Sequence, residues 1–222
     1  MPIKILEKCY QCCIFDFDGV ILDTEKYHYL AWRDVFAPFG IRLESKEYLP
    51  LKSTGRMHII NWVCQRYSLS LTEQEKINLA DKKGKRYEHY ATRISQQDLI
   101  GGVVTFLQQL RRTDCRIVIA TSSMAAGRYI QKFALETYFD ALYDGSLPLK
   151  KKPAPDLFLH IACEMGLSAG ECIVFEDSLA GIVAAECAGM DVVAIGGIQA
   201  EKALLCIDDF SALAPEKMQG GR

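Results

Sequence analysis

Short apolar runs recur along the chain and predict the strands of a parallel sheet. The first covers residues 13–15, and similar runs follow at 116–120, 172–175 and 192–195. Each is short, contains β-branched residues and lacks alternation of apolar and polar positions, as expected for strands covered on both faces. Segments with helical periodicity separate the runs. Strands that alternate with helices indicate an α/β fold with a doubly wound parallel sheet.

The helical segments of this part of the chain have recognisable ends. One pattern, over residues 103–112, precedes the second run, and another, over 125–139, follows it. Pro155 lies in the first turn of a third pattern, and Gly166 follows its last apolar position. A fourth pattern closes at Gly189. The ends of these helices leave a loop after the carboxyl end of each predicted strand.

The segment between the first two apolar runs breaks this rhythm, because it contains helix patterns and almost no strand candidate. One helix pattern ends at Gly40, and Thr72 with Glu75 forms a capping box that opens a long charged helix. An insertion after a strand can cover the sheet edge at which open α/β sheets bind ligands. We therefore expect an α/β core domain of residues 1–23 and 98–222 and an inserted helical cap domain of residues 24–97.

Composition narrows the class of protein. Half of the 222 residues are apolar, 24% are charged and the net charge is −2, so we expect no nucleic-acid or membrane partner. No apolar run approaches the ~20 residues that span a bilayer, and the N-terminal residues lack the apolar core of a secretory signal. We expect a cytoplasmic protein whose last twenty residues form a loose tail.

Nine cysteines leave this expectation unchanged. Five of them (Cys64, Cys115, Cys163, Cys172 and Cys187) stand singly in apolar stretches, where cysteine is typically a small buried hydrophobe. Cys9 and Cys12 form a CxxC, but no second CxxC or closely spaced histidine pair completes a zinc site. A redox motif would precede a helix, whereas here a strand follows. We interpret the cysteines as structural.

Polar side chains follow three of the predicted strands, and together with Lys152, which precedes a later helix, they should meet at one edge of the sheet. Carboxylates crowded in this way need Mg²⁺ or another hard cation to remain ionised together. A lysine and hydroxyl groups beside them suit a phosphoryl group. A carboxylate there can be a nucleophile, and its neighbour two residues away can transfer the proton. The set comprises Asp16, Asp18, Thr121, Ser122, Ser123, Lys152, Glu176 and Asp177.

Each member of this set also has an ordinary structural explanation. The pair of Asp16 and Asp18 could mark a solvated turn, and Lys152 could belong to a solvated basic loop. Thr121 could cap the helix after the second strand, and Asp177 or Ser178 could cap the helix that follows residues 172–175. Their common order and placement favour a functional site.

The segments DFDGVILDT, ATSS, KKPAPD and FEDSLAG resemble the four motifs of the haloacid dehalogenase superfamily, in their usual order, within residues 10–198. The resemblance implies that Asp16 is the nucleophile, that Asp18 is the general acid and base, and that Thr121 and Lys152 stabilise the phosphate. Dehalogenating members lack an acidic residue at the position of Asp18, so the resemblance implies phosphoryl transfer. It also implies Mg²⁺, held by Asp16, the backbone carbonyl of Asp18, Asp177 and Glu176.

Three cap segments, DTEKYHYLAW, LKSTGR and LADKKGKRY, resemble the β-phosphoglucomutase-like subgroup of this superfamily. This closer resemblance implies a mutase that interconverts β-glucose 1-phosphate and glucose 6-phosphate. His28 would orient the general acid, Arg56 would bind the phosphate that is not transferred, and Lys83 would assist at the sugar. The substrate-binding residues implied overall are His28, Trp32, Arg56, Lys83, Ser122 and Ser123.

The chain also departs from the subgroup pattern. Ser53 replaces a glycine, and Met124 and Ala125 replace a lysine and an asparagine in the loop after the second strand. The lysine contacts phosphate in the subgroup, so its loss bears on which sugar phosphate is used. A sugar-phosphate phosphatase is the alternative enzyme, and a phosphosugar sensor without catalysis is a third hypothesis. The resemblance implies a monomer that acts on a small-molecule sugar phosphate.

Overall fold

The structure, a computed structural model, describes residues 3–5, 8–52 and 54–213. Within these residues the chain forms two compact units, one from residues 1–23 and 99–222 and one from Thr24–Asp98. We call the first the core and the second the cap, and we describe each by itself. Ser53 lies outside the described residues.

Six parallel strands form the central sheet of the core, as predicted for a doubly wound α/β fold. The four apolar runs of the sequence supply its middle strands, in the spatial order β5-β4-β3-β6-β7-β8. A separate two-stranded antiparallel sheet precedes it. The strands are β1 (Ile3–Ile5), β2 (Lys8–Tyr10), β3 (Cys12–Phe15), β4 (Arg116–Ala120), β5 (Ala141–Tyr143), β6 (Cys172–Glu176), β7 (Asp191–Ile195) and β8 (Leu205–Ile207).

In the part of the chain that the structure describes, eight α-helices complete the two units, the first four in the cap and the last four in the core. The capping box of Thr72 and Glu75 forms as predicted at the start of the longest helix. None of the helices in the described part of the chain is long and apolar enough to cross a membrane. The helices are α1 (Glu25–Phe36), α2 (Ser45–Tyr48), α3 (Arg56–Arg66), α4 (Glu73–Ala91), α5 (Val103–Leu110), α6 (Ala126–Lys132), α7 (Asp156–Met165) and α8 (Leu179–Cys187).

Both faces of the core sheet are covered, which explains why the strand sequences do not alternate. On one face, Phe158 of α7 and Ile182 of α8 belong to the same buried cluster as Ile14 of β3. On the other face, the rings of Phe15 and Phe175 stack with their centroids 4.5 Å apart. The central strands are therefore buried at nearly every position.

Two predictions about the chain after β4 were wrong. The helix expected over residues 125–139 ends at Lys132, because Ala134 adopts a positive φ of 53° and a short 3-10 turn follows. The tail expected over the last twenty residues contains β8, which pairs with β7 at the sheet edge. The end of that tail, residues 214–222, lies outside the described residues.

The cysteines are all free, but they are not uniformly buried. Cys115 and Cys172 are buried as expected, and Cys64 is partly exposed. Cys163 on α7 and Cys187 on α8 are exposed, so their expected burial was wrong. They occupy the solvent sides of their helices, and α8 also exposes the apolar residues Leu179 and Val183, so an apolar neighbourhood in sequence does not mean burial in space.

Candidate active site

The chain turns sharply after β3, and this turn positions the first two aspartates. The carbonyl of Phe17 accepts hydrogen bonds from three amides of the turn, at 2.9, 3.1 and 3.4 Å. Asp16 is buried and Asp18 is partly exposed. Gly19 has a φ of 84°, and a Cβ there would lie 1.9 Å from Oδ2 of Asp177. Glycine is therefore required at this position for the close approach of the Asp177 carboxylate.

Lys152 lies against two of the carboxylates at this sheet edge. Its ammonium donates to Oδ1 of Asp16 at 2.6 Å, to Oε1 of Glu176, and to the carbonyl of Ala120 at 3.3 Å. Burial alone would lower the pKa of Lys152, but the two carboxylates raise it above its usual value. The lysine is therefore a permanent positive charge in a buried position, rather than part of a solvated loop.

Glu176 is surrounded by donors from the protein. Its Oε2 accepts from the amides of Asp177 and Ser178, each at 3.0 Å, and from the Ser178 hydroxyl at 2.9 Å. A Cβ at Gly181 would lie 1.9 Å from Oε1 of Glu176, so the first turn of α8 must carry a glycine there. Ser178, which sequence analysis offered only as an alternative, is the N-cap residue of α8, and its hydroxyl accepts from the Gly181 amide.

Three of the four predicted metal-binding residues come together. Asp16, Glu176 and Asp177 each offer a carboxylate oxygen, and these oxygens lie within 4.8 Å of one another. Asp18 contributes no side-chain atom to this group. Oxygen donors of this kind are what Mg²⁺ takes in proteins.

The electrostatics of the group also fit a hard cation. Burial raises the pKa of Asp16 well above its usual range, and Lys152 opposes this, while the neighbouring carboxylates raise it further. A bound divalent cation would allow these carboxylates to ionise together. Glu176 already accepts four hydrogen bonds from protein donors, about what one carboxylate can accept. Asp16 and Asp177 are therefore the better candidates for direct coordination.

The loop after β4 presents the predicted phosphate-binding hydroxyls. Thr121 is buried, its amide donates to the Tyr143 carbonyl at 2.9 Å, and its Oγ1 accepts from the Ser123 amide at 3.0 Å. Ser122 is exposed and Ser123 is partly exposed. Thr121 is not the cap of α6, because that helix begins several residues later. The side chain of Met124 is 76% exposed.

Two of the predicted cap residues form a direct pair. Nζ of Lys83 on α4 lies 2.5 Å from Nδ1 of His28 on α1. Because an ammonium can only donate, Nδ1 accepts and the imidazole proton lies on Nε2. The His28 ring stacks on Tyr87 with centroids 4.0 Å apart. Sequence analysis missed Tyr87, although its position one helical turn after Lys83 could have indicated it.

Trp32 and Arg56 occupy different environments in the cap. Trp32 is 1% exposed within the apolar cluster of the cap, and Lys83 lies over its ring at 5.4 Å. Arg56 is exposed at the start of α3, and its Nη1 would lie 3.3 Å from a Cβ placed at Gly84. A glycine inside a helix is unfavourable by ~1 kcal/mol, and here it leaves room for the Arg56 guanidinium beside Lys83.

The environment of His28 predicts a pH dependence of stability. Burial, followed by the positive charges of Lys83 and Arg56, holds the pKa of His28 well below 6.5. The unfolded chain binds a proton near pH 6.5 that the folded chain does not, so stability should fall as the pH falls below 6.5, by at most about 1.4 kcal/mol per pH unit. Urea unfolding at several pH values should show that His28→Gln loses less stability than the wild type as the pH falls. His58→Gln, at an exposed position of α3, should keep the wild-type slope. Equal slopes for wild type and His28→Gln would contradict this environment.

Comparison with known proteins identifies the family. Residues 10–189 match the model of the haloacid dehalogenase-like hydrolases. The chain is 32% identical over 185 residues to a β-phosphoglucomutase of Bacillus subtilis, with 82% of each chain covered. It is also 32% identical over 187 residues to a fructose-1-phosphate phosphatase of Escherichia coli, covering 83% of this chain and 95% of the relative. The fold matches a β-phosphoglucomutase structure from Clostridium difficile with a TM-score of 0.83 and 30% identity, covering 94% of this chain and 96% of the other.

The chain therefore belongs to the haloacid dehalogenase-like hydrolase family. Within that family it falls in the β-phosphoglucomutase-like subgroup, as the cap segments predicted. The similar proteins include both a mutase and a phosphatase of sugar phosphates, so membership establishes an enzyme family and leaves the acceptor of the phosphoryl group open.

Proposed function

We propose that the protein transfers a phosphoryl group of a sugar phosphate through an aspartyl-phosphate on Asp16, and that it is a β-phosphoglucomutase. The observation that carries the proposal is the buried group of Asp16, Lys152, Glu176 and Asp177 at the carboxyl edge of the sheet. The similarity to β-phosphoglucomutases and the pair of His28 and Lys83 in the cap support the choice of reaction.

In the first half of the proposed reaction, a carboxylate oxygen of Asp16 attacks phosphorus and the bond from phosphorus to the sugar oxygen breaks. Asp18 gives its proton to that leaving oxygen. The ammonium of Lys152 and the hydroxyl of Thr121 stabilise the negative charge of the phosphoryl oxygens, and Ser122 and Ser123 supply further donors. Mg²⁺, held by Asp16, Asp177 and the Asp18 carbonyl with Glu176 beside them, would add positive charge at the same oxygens.

In the second half, Asp18 takes the proton of the acceptor hydroxyl, and the acceptor oxygen attacks the aspartyl-phosphate. The acceptor in a mutase is a sugar hydroxyl, and the product is a bisphosphate that returns its other phosphoryl group to Asp16. The acceptor in a phosphatase is water. The same residues serve both reactions. The share of phosphoryl groups that pass to the sugar rather than to water therefore depends on how well the sugar phosphate is bound.

The cap residues are proposed to favour the sugar. The Nε2–H of His28 is a donor suited to a carboxylate such as that of Asp18. The fork of Arg56 is suited to the phosphate that is not transferred. Lys83 fixes the ring of His28 and adds charge at the sugar. Trp32 supports Lys83 from within the apolar cluster, so its proposed contribution to substrate binding is indirect.

Met124 favours the alternative, a sugar-phosphate phosphatase. This exposed thioether stands where the subgroup has a phosphate-binding lysine, so one charge is missing for a bisphosphate. The similarity to a fructose-1-phosphate phosphatase points the same way. The two functions differ in one measurable ratio, that of sugar product to free phosphate.

One experiment tests both whether the protein transfers a phosphoryl group and whether the acceptor is a sugar or water. Purified protein receives Mg²⁺, β-glucose 1-phosphate and a trace of glucose 1,6-bisphosphate, and glucose 6-phosphate and free phosphate are followed together. We expect glucose 6-phosphate to form faster than phosphate. Met124→Lys should lower the bisphosphate concentration for half-maximal rate about tenfold, because it adds a charge-assisted contact. Leu159→Lys, at an exposed position of α7, is the control. Phosphate as the sole product of the wild type would establish the phosphatase instead.

A further inference from the structure

The cap contains a groove that the proposed reaction does not use. It lies between the helices α1 and α4 and has a volume of about 460 Å³. Val35 and Leu79 are the buried apolar residues that line it, and Pro38 and Phe39 are exposed beside them. A volume of this size is within the ~300–1,000 Å³ typical of small-molecule sites. None of the cap residues assigned to the sugar phosphate lines this groove.

One side of the groove is strongly basic. Lys82, Lys85, Arg86 and His89 line it from α4, and their spacing places them on one face of that helix. Lys82, Lys85 and Arg86 form no ion pair with any residue in the described part of the chain. Asp34 is the acidic residue of the lining, and its Oδ2 accepts a hydrogen bond from the hydroxyl of Tyr90 at 2.6 Å.

This concentration of positive charge is not an average property of the protein, whose net charge is −2. Exposed like charges that share one helix face repel one another, so the arrangement is mildly unfavourable without a counter-charge. An anion that lies along the face of α4 would remove this repulsion and bind several cations at once. The groove is therefore complementary to a ligand that carries more than one negative charge.

The lining also includes an exposed apolar surface, contributed by Pro38 and Phe39 after α1, that suits an apolar group. The ring of Phe39 is 43% exposed and lies next to Pro38, where a planar aromatic ring could stack on it. A simple inorganic anion would leave this surface in water, and an uncharged apolar molecule would leave the cations unpaired. A nucleoside polyphosphate satisfies both ends, because a base stacks readily on an aromatic side chain and its phosphates pair with lysine and arginine.

We propose that the groove between α1 and α4 is a binding site for a nucleoside polyphosphate, with the base against Phe39 and Pro38 and the phosphates along Lys82, Lys85 and Arg86. The site is independent of the proposed phosphoryl transfer, since it shares no residue with it. A docked acidic protein segment is the alternative, and the groove volume of about 460 Å³, which matches small-molecule sites, favours a small molecule.

Calorimetric titration of the whole chain with ATP, in EDTA so that no metal bridges ATP to the catalytic carboxylates, tests the site. The double variant Lys82→Glu/Arg86→Glu should bind ATP at least about tenfold more weakly, because two attractive charges become repulsive. The matched control Lys46→Glu/Lys202→Glu reverses two other exposed charges and should bind ATP as the wild type does. Circular dichroism spectra establish that both variants are folded.

Two fragments of ATP and one further variant distinguish the contribution of the base from that of the phosphates. Adenosine alone and inorganic tripolyphosphate alone should each bind more weakly than ATP. Phe39→Ser should lower the affinity for ATP and leave the affinity for tripolyphosphate unchanged. Absence of ATP binding, or equal ATP affinity in wild type and Lys82→Glu/Arg86→Glu, would overturn the proposal. Tripolyphosphate that binds as tightly as ATP would also overturn it, since the groove would then recognise an anion without a base. None of these results depends on turnover, so the proposed enzymatic function can fail separately.

Discussion

Asp16→Asn should lower turnover by a factor on the order of 10³ or more, because the amide cannot accept a phosphoryl group as a carboxylate does. The substitution preserves shape and an oxygen that can accept from Lys152, which lies 2.6 Å from Oδ1 of Asp16. The loss should therefore come from chemistry rather than from unfolding. Glucose 6-phosphate and free phosphate should both disappear, whichever acceptor the enzyme uses. Turnover within tenfold of the wild type would remove Asp16 from the role of nucleophile.

Asp18→Asn is the companion variant, and its affinity for Mg²⁺ distinguishes the role of Asp18 from that of Asp16. Loss of a general acid and base should slow turnover by roughly 10²- to 10⁴-fold. Mg²⁺ affinity, measured by calorimetry, should stay close to that of the wild type, because the proposed ligand at this position is the backbone carbonyl. In Asp16→Asn the same titration should show weaker Mg²⁺ binding. A collapse of Mg²⁺ affinity in Asp18→Asn would reverse this division of roles.

Lys152→Met should destabilise the protein as well as inactivate it. The ammonium is buried and pairs with Asp16 and Glu176, so its removal leaves two buried carboxylates without their cation. Removing one partner of a buried ion pair typically costs about 3–5 kcal/mol. Urea unfolding in EDTA should show a loss of this size. Mg²⁺ should restore part of it, because it would neutralise the same carboxylates.

Lys151→Met is the matched control, since Lys151 is the neighbouring residue and is exposed. We expect its unfolding free energy to stay within about 0.5 kcal/mol of the wild type, as is usual for surface substitutions. Equal stability of the two methionine variants in EDTA would show that the contacts of Lys152 with Asp16 and Glu176 contribute nothing to the fold.

The middle of the sheet was predictable from the sequence and its edges were not. The segment 116–120 has four consecutive apolar residues after Arg116 and forms β4 with the expected bounds. β5 and β8 each have three residues at the two edges of the sheet, where burial is incomplete. Such strands carry too few apolar positions to stand out from a loop, and their pairing depends on neighbours that are distant in sequence.

The candidate site was predictable as a set of residues but not as an arrangement. Parallel strands bring their carboxyl ends to one edge, so Asp16 and Asp177 were expected together. Periodicity could not show that Lys152 reaches both Asp16 and Glu176, because the first contact spans 136 positions. Nor could it show that Gly19 and Gly181 lie against carboxylates. Those positions depend on close approach in space, which leaves no local pattern in sequence.

The stereochemistry at phosphorus tests the aspartyl-phosphate most directly. A sugar phosphate made chiral at phosphorus with oxygen isotopes is converted by the enzyme, and the configuration of the transferred group is determined in the product. Each in-line displacement inverts the configuration, so passage through Asp16 involves two inversions and predicts retention. The prediction of retention holds for a mutase and a phosphatase alike. For a phosphatase the substrate is a sugar thiophosphate that is chiral at phosphorus, hydrolysed in water of the third oxygen isotope, because free phosphate made of oxygen isotopes alone is not chiral. Inversion would mean a single direct transfer from sugar to acceptor and would contradict a covalent role for Asp16.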